Sequence, residues 1–414
     1  MKKMRSQLLV VAKKNPTPLY LYDAAEVKTN LTMFRQAFAK FGLQSKVFYA
    51  IKSNPYAGLL KTVVDEGVGL DVSSQCELKL ALAARAKKII YTGPAKTEKD
   101  FELILCHHSK ITVNLESRRE LELLAKMAGA KKITMRCGVR IHTKIQQGWT
   151  KFGIPLAELR AFYDAAKRYK SLRFCGVHFH ISYNKTPEKY VAMLVELANY
   201  FQKNFKPQER ENFAYIDIGG GIYPQPFEGV HTWNPNQESY FDNYEKTLDK
   251  VLNNKFHPRF KPLVVAPIEK FAQDIVVAWH TKISPLLPRV ELYAEPGRFI
   301  SHSAMHFLLR IIDVKNPQLG ITDGGNNMFG WEKYQFFNYV PLFNLSQFDL
   351  KNEIPFLTCG SLCTPDDVWG YYIYTKKTPK AGNIILLPFQ GAYTYTLAQN
   401  FIKEIPPVYD VRFI

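Results

Sequence analysis

Eight short β-prone segments recur through the first three hundred residues, and the stretches between them carry apolar residues at three- and four-residue steps. The segments are Lys46–Ile51, Gly69–Val72, Ile89–Thr92, Ile111–Asn114, Ile133–Val139, Phe174–Ile181, Tyr215–Ile218 and Val290–Ala294. The helical stretches are Tyr56–Glu66, Gln75–Ala86, Glu98–His107, Ser117–Met127, Leu156–Tyr169 and Pro187–Phe205. Strands separated by helix-length connections pair in parallel, because a parallel partner is reached only by a crossover of a dozen or more residues. Eight of them close a (β/α)8 TIM barrel of roughly 250 residues. The expected class is α/β, with this barrel over residues 27–300.

After Arg298 the helical period fades, and β-branched and aromatic residues alternate with turns such as Asp323-Gly324-Gly325-Asn326-Asn327 and Lys380-Ala381-Gly382-Asn383. A mainly β domain is expected over 301–414, with an N-terminal segment, 1–26, pairing with it through the β-prone run Pro18–Tyr22 as an edge strand. Residues 223–289 exceed one connection and are rich in Pro, Asn and aromatics, so they read as an insertion with a helix at about 237–254. No internal repeat is visible.

With 46% hydrophobic and 22% charged residues, the chain must fold. No apolar run approaches the roughly 18 residues that cross a bilayer, and the apolar stretch Leu8–Ala12 is too short for a secretory signal. A cytoplasmic protein without a membrane partner is expected. The 6 cysteines form no CxxC pair and point to reduced thiols. Lys plus Arg exceed Asp plus Glu by 55 to 37, a formal +18, but the positive residues lie scattered in ones and twos. That pattern suits solubility or an anionic small molecule better than a nucleic acid.

In a parallel barrel the reactive groups sit where strands end. Lys52 follows the first segment, either as an amine for Schiff-base chemistry or as a surface lysine with its stem laid on apolar neighbours. Asp71 ends the second, with Ser73-Ser74 and Glu77 behind it; these acids hold a lysine or a ring hydroxyl, or they cap a helix. His178 and His180 form an HxH pair that suits zinc or stacking on a planar ring, and no third ligand of fitting spacing is evident. Gly219, Gly220 and Gly221 let backbone amides approach a phosphate, or make a flexible turn. Glu295-Pro296-Gly297-Arg298 offers a carboxylate for a pyridine nitrogen and a guanidinium for an anion, or simply an ion pair. Cys359, Cys363, Asp366 and Asp367 lie close in sequence, followed by Gly391-Ala392-Tyr393, without the further sulfur or histidine that a metal site needs. No metal is expected.

Taken in order, these residues resemble the fold-type III pyridoxal-phosphate decarboxylases, the group IV enzymes acting on diaminopimelate, ornithine and arginine. The likeness runs from Tyr49-Ala50-Ile51-Lys52-Ser53-Asn54 through Lys151-Phe152-Gly153, His178-Phe179-His180, Asp217–Gly221 and Glu295–Arg298 to Cys363 and Gly391–Tyr393. It implies an alanine-racemase-like barrel and pyridoxal 5'-phosphate as cofactor. Lys52 would hold the aldehyde and His180 would stack on the ring. Asp71, Gly219, Gly220, Gly221, Gly297, Arg298 and Tyr393 would line the cofactor, the glycines, Arg298 and Tyr393 at its phosphate, with Glu295 at the ring nitrogen. The implied reaction removes the α-carboxylate of an amino acid through a quinonoid intermediate. Cys363, reaching over from the second subunit of a homodimer, would return the proton, and Thr364, Asp366, Asp367 and Tyr393 would meet the substrate. Thr364 stands where diaminopimelate and ornithine decarboxylases carry an acid for the substrate's distal amine. Cys363-Thr364-Pro365 is closer to the branch that acts on siderophore precursors and acyl-carrier-linked amino acids. Ser182-Tyr183-Asn184 also departs from the family's glycine-serine pair. A racemase and a catalytically silent homologue are the alternatives.

Overall fold

The computed structural model describes residues 2–146, 150–225, 229–231, 260–330 and 338–411. The chain divides into two compact units, one of residues 27–225 and 265–300, the other of residues 1–26, 226–264 and 301–414.

The first unit is a closed ring of eight parallel strands: β1 (Ser45–Ala50), β2 (Gly69–Val72), β3 (Ile89–Thr92), β4 (Ile111–Leu115), β5 (Met135–His142), β6 (Leu172–His178), β7 (Tyr215–Asp217) and β8 (Glu291–Ala294). Each pairs with the next in sequence, and Leu292 lies opposite Ser45 where β8 returns to β1. β2 and β3 are buried along their whole length, as strands flanked by helices on one face and a filled interior on the other must be. Helices start on sequence cues. Ser74, Thr97 and Ser117 each accept the amide three residues on, from Glu77, Asp100 and Glu120, and so satisfy the first free N–H groups of Gln75–Ala83, Glu98–Cys106 and Arg118–Ala130. Thr97 and Asp100 complete a reciprocal capping box.

The region expected as one insertion over 223–289 divides. Ile268–Ala278 is a helix of the barrel unit, buried through Ile268, Phe271, Ala272, Ile275 and Val276, while Gly229–His231 and Phe260–Pro262 are paired strands of the other unit. The helix expected at about 237–254 lies outside the described residues.

The second unit is mainly β, as the texture after Arg298 implies. Its large sheet runs in the order Leu319–Thr322, Glu353–Cys359, Val368–Tyr374, Phe343–Asn344, Ile384–Leu387, Met305–Asn316, Leu19–Tyr22, Val408–Asp410. A further pairing of Leu319–Thr322 with Met305–Asn316 closes six of these strands into a ring. Leu19–Tyr22 is not an edge strand, because it pairs antiparallel with Met305–Leu308 and parallel with Val408–Asp410. Ahead of it, Lys2–Lys14 is a helix whose Leu8, Val11 and Ala12 pack with Leu19, Leu308 and Phe343. Burying Leu8 and Val11 stabilises by roughly 1.5–3 kcal/mol each, more than such a short basic segment gains alone. Among the described residues no helix is long and apolar enough to cross a membrane.

Candidate active site

At the carboxyl ends of the barrel strands the side chains turn from apolar to charged within one residue. Lys52 leaves β1 in a short 3-10 turn, and its Nζ lies 3.6 Å from Oδ2 of Asp71, which stands in β2 opposite Ala50. The lysine side chain is 38% exposed and the aspartate wholly buried. The helix cap near Asp71 is supplied by others: Ser74 accepts from the Glu77 amide, and Glu77 Oε2 accepts from the Ser73 amide at 2.6 Å. Asp71 is therefore left for the barrel interior, with neither oxygen in a hydrogen bond among the described residues.

Glu295, just after β8, is the centre of the cluster and 1% exposed. Its Oε1 accepts from the Thr92 hydroxyl at 3.1 Å. Its Oε2 lies 3.3 Å from His178 Nε2 and 4.0 Å from His180 Nδ1, without an aligned hydrogen bond. β6 ends at His178, so His180 stands in the following loop rather than on the strand. It is held there by the Gly220 amide, donating to Nδ1 at 3.2 Å, and by Ser182 Oγ, 3.2 Å from Nε2. The HxH pair thus acquires through folding a third donor that local spacing hides. One ligand atom from each of His178, His180 and Glu295 lies within 4.8 Å of the others.

The electrostatics follow from burial. Removal from water, reinforced by the Glu295 charge, pushes Asp71 and Asp217 well above the ordinary carboxylate range. Burial pushes Glu295 the same way, but His178, Lys52 and His180 overcome it and hold it below that range. Burial lowers both histidines, His180 strongly, with Lys52 and Arg140 adding to its shift. The site thus gathers its negative charge on Glu295.

Beside it, Gly219 and Gly221 adopt φ of +67° and +90°, and a Cβ on Gly221 would sit 1.9 Å from the Ile181 carbonyl oxygen. Only glycine fits that close approach, which turns the β7 exit into a backbone cradle. Gly297 is confined more mildly, a Cβ there falling 2.9 Å from Ser53 Cβ. Arg298 is buried, its guanidinium 5.1 Å from the Tyr223 ring centroid. A buried carboxylate oxygen without an aligned bond, a half-exposed amine beside an acid, a glycine cradle and a buried guanidinium fit a phosphorylated pyridine aldehyde.

The remaining expected residues lie in the second unit. Cys363 is exposed, Thr364 and Asp366 half-buried, and Asp367 buried. Asp367, expected to meet the substrate, has both oxygens engaged: Oδ1 accepts from the Asn326 amide and Oδ2 from the Leu362 amide, each at 2.7 Å. These two bonds tie the carboxylate to the cysteine loop. Tyr393 has φ +58° and is half-buried.

Two features were not anticipated. Thr92 touches Glu295 from the end of β3, where inspecting every strand end would have found it. Lys96, Glu120, Glu116 and Arg140 form a buried ionic network beside the site. Glu116 joins it to Phe152-Gly153 by accepting the Gly153 amide at 2.5 Å, and the Arg140 guanidinium lies 4.3 Å from the Phe152 ring centroid.

Residues 24–302 match the family model of the pyridoxal binding domain of the pyridoxal-dependent decarboxylases. The chain belongs to that family. This decarboxylase is 25% identical to diaminopimelate decarboxylase of Bacteroides thetaiotaomicron over 95% of both chains. It is 32% identical to a probable chloroplastic diaminopimelate decarboxylase of Oryza sativa subsp. japonica, over 96% of this chain and 75% of that one. Its fold is that of lysine/ornithine decarboxylase from Vibrio vulnificus, crystallised with putrescine: the TM-score is 0.77 at 20% identity, covering 99% of this chain and 98% of the other. The decarboxylase is accordingly a carboxy-lyase that uses pyridoxal phosphate and acts on an amino acid.

Proposed function

We propose that Lys52, Asp71, His180, Gly219, Gly220, Gly221, Glu295, Gly297 and Arg298 hold the cofactor of this decarboxylase, and that its substrate is a diamino acid or a conjugated amino acid. The observation that carries the reading is Glu295: a buried carboxylate held below its ordinary range, its Oε2 3.3 Å from His178 Nε2, is suited to keep a heterocyclic nitrogen protonated. A bound pyridoxal supplies an electron sink for the pair released when the Cα–carboxylate bond breaks. An acid at this position favours decarboxylation over racemisation, for which an arginine against the nitrogen is the better partner.

The chain's own groups prepare that step. Asp71 Oδ2, 3.6 Å from Lys52 Nζ, keeps the lysine amine at the mouth of the barrel, where it can join an aldehyde. His180 is kept neutral by burial and fixed by the Gly220 amide, so its ring is a flat wall against a heterocycle. The Gly219–Gly221 turn and Arg298 bind the phosphate, with Tyr393 assisting. Cys363 returns the proton, and Thr364 and Asp366 meet the substrate side chain. Thr364 has no charge for a distal amine, which supports a conjugated amino acid.

The decarboxylase is proposed to work as a homodimer with shared active sites, one copy lending Cys363 to the barrel of the other. Mixing inactive Lys52→Ala and Cys363→Ala proteins then restores carbon dioxide release, because mixed pairs retain one intact site; no recovery would overturn shared sites. A cytoplasmic location is proposed as well, in keeping with the free thiols among the described residues, and cell fractionation tests it.

A screen of carbon dioxide release from diaminopimelate, ornithine, lysine, arginine and larger conjugated amino acids tests the substrate, joined to borohydride trapping of the cofactor on Lys52. Release from none of them, or an unmodified Lys52 after trapping, would overturn the reading.

A further inference from the structure

Glu295 does not stand alone in the barrel. Its Oε1 accepts from the Thr92 hydroxyl at 3.1 Å; Thr92 Oγ1 in turn accepts from Asn114 Nδ2 at 3.2 Å; and Asn114 Oδ1 accepts from the Tyr215 hydroxyl at 2.7 Å. The four residues come from β3, β4, β7 and the end of β8, so the chain of bonds crosses the barrel interior. All four are at least 96% buried. The polarity is unbroken: every donor points along the chain toward the carboxylate, and a hydroxyl that is itself an acceptor becomes a better donor.

The far end is rigid for reasons unrelated to hydrogen bonding. The Tyr215 ring stacks on Tyr293 at 4.7 Å and 8°, and it occupies the space left by Gly138 and Gly176, where a Cβ would come within 2.3 Å and 2.1 Å of it. Asn114 is pinned on its other side, its carbonyl accepting from Lys96 Nζ at 2.8 Å. Two small residues on β5 and β6 therefore make room for a post whose only polar atom faces Asn114.

We infer that Thr92, backed by Asn114 and Tyr215, is a positioning residue of the decarboxylation: it holds Glu295 through Oε1, so that Oε2 is the oxygen offered to the cofactor's ring nitrogen. The inference rests on the role given to Glu295 above. Without the hydroxyl, Oε1 is buried with no donor and the carboxylate is free to rotate or to take up a proton. The titratable groups that face Glu295 are His178 and His180 from β6 and its loop, Asp217 from β7, Asp71 from β2 and Lys52 from β1. Thr92 is the neutral donor among them.

The test compares the holoenzyme with Thr92→Val, Thr92→Ser, Tyr215→Phe and Glu295→Gln. Thermal melting and far-ultraviolet circular dichroism check folding. Steady-state rates are measured together with the pH midpoint of the bound cofactor's absorption, which reports ring protonation independently of turnover. In Thr92→Val, kcat is expected to fall about 10- to 100-fold, the worth of one buried hydrogen bond to a charge. KM should stay within about twofold, and the spectral midpoint should move to lower pH. Thr92→Ser, which keeps the hydroxyl, recovers most of both. Tyr215→Phe shifts both in the same direction by roughly 2- to 5-fold.

A folded Thr92→Val with the native midpoint and kcat overturns the inference, as does an equal loss in the serine and valine variants. Should Thr92→Val not fold, Tyr215→Phe decides on the same two readouts, and native values there overturn it. If the unaltered protein takes up no pyridoxal phosphate, or Glu295→Gln keeps the full rate, the reading of the site fails and the inference falls with it.

Discussion

Two lysines follow strands of the same barrel, Lys52 after β1 and Lys96 after β3, and they are treated in opposite ways. Lys96 is 1% exposed, and its three ammonium donors reach Gly93 O at 2.6 Å, Asn114 O at 2.8 Å and Glu120 Oε2 at 3.1 Å. Glu120 returns bonds to the Lys96 and Glu116 amides, and Glu116 takes Arg140. Lys52 instead keeps 38% of its side chain in contact with solvent and meets Asp71 only at 3.6 Å. Around it, Asp71 and Glu295 Oε2 are buried without an aligned hydrogen bond among the described residues. The tighter cluster is a brace, since each buried lysine and arginine in it has a carboxylate oxygen within 3.2 Å. The looser cluster carries polar atoms at a cost in stability, the usual condition of a site built to receive a ligand.

That contrast predicts that substitutions in one cluster cost activity and substitutions in the other cost stability. The largest expected effect is on Lys52→Ala, whose rate of carbon dioxide release should drop by about three orders of magnitude or more, while its melting temperature stays near that of the unaltered protein. A large loss of stability there would erase the distinction. Lys96→Met should do the reverse: removing one partner of a buried pair costs roughly 3–5 kcal/mol, seen as a lower urea midpoint, while kcat/KM per folded molecule falls far less than in Lys52→Ala. Pairing it with Glu120→Gln should recover part of the loss, which a double-mutant cycle measures.

The pH dependence sharpens the comparison. Burial and the Glu295 charge raise Asp217 well above the ordinary carboxylate range, so the folded chain keeps a proton that the unfolded chain releases above about 3.9. This stabilisation is fully present below that value and is lost as pH rises through the raised folded value. Asp217→Asn removes the dependence. Melting of the cofactor-free protein between pH 8 and pH 5 should therefore gain stability in the unaltered chain relative to the variant, on the order of 1 kcal/mol. An identical profile in both proteins would show that Asp217 is ionised. The smallest effect concerns the formal +18: with an anionic conjugate as substrate, kcat/KM should fall about two- to threefold between roughly 0.01 and 0.15 M salt. No change would remove the link between surface charge and substrate.

Much of the barrel is legible before folding. Gly69–Val72 and Ile89–Thr92 are bounded in the structure as the β-prone runs are in the sequence, because short buried strands between helix caps leave little latitude. Lys2–Lys14 is not legible, since its five-residue apolar run looks too short for an element and its partners Leu308 and Phe343 lie some three hundred residues away. Ile268–Ala278 has a helical apolar period that its Pro- and Asn-rich surroundings mask. In the site, Lys52, His180, the glycines and Glu295 are marked by residue type at strand ends. Thr92 carries no such mark, and Asp367 is indistinguishable in sequence from a free carboxylate until two loop amides are seen to occupy it.

The order of periodic segments and the chemical inventory at their ends are properties of the sequence by itself, since strand and helix periods and turn residues act within a few positions. Which of those charges are compensated and which stay open to a ligand is a property of the tertiary structure alone. A hydrogen bond requires atoms about 3 Å apart, and the atoms concerned, Thr92 and Glu295 among them, are brought together only when the ring of strands closes.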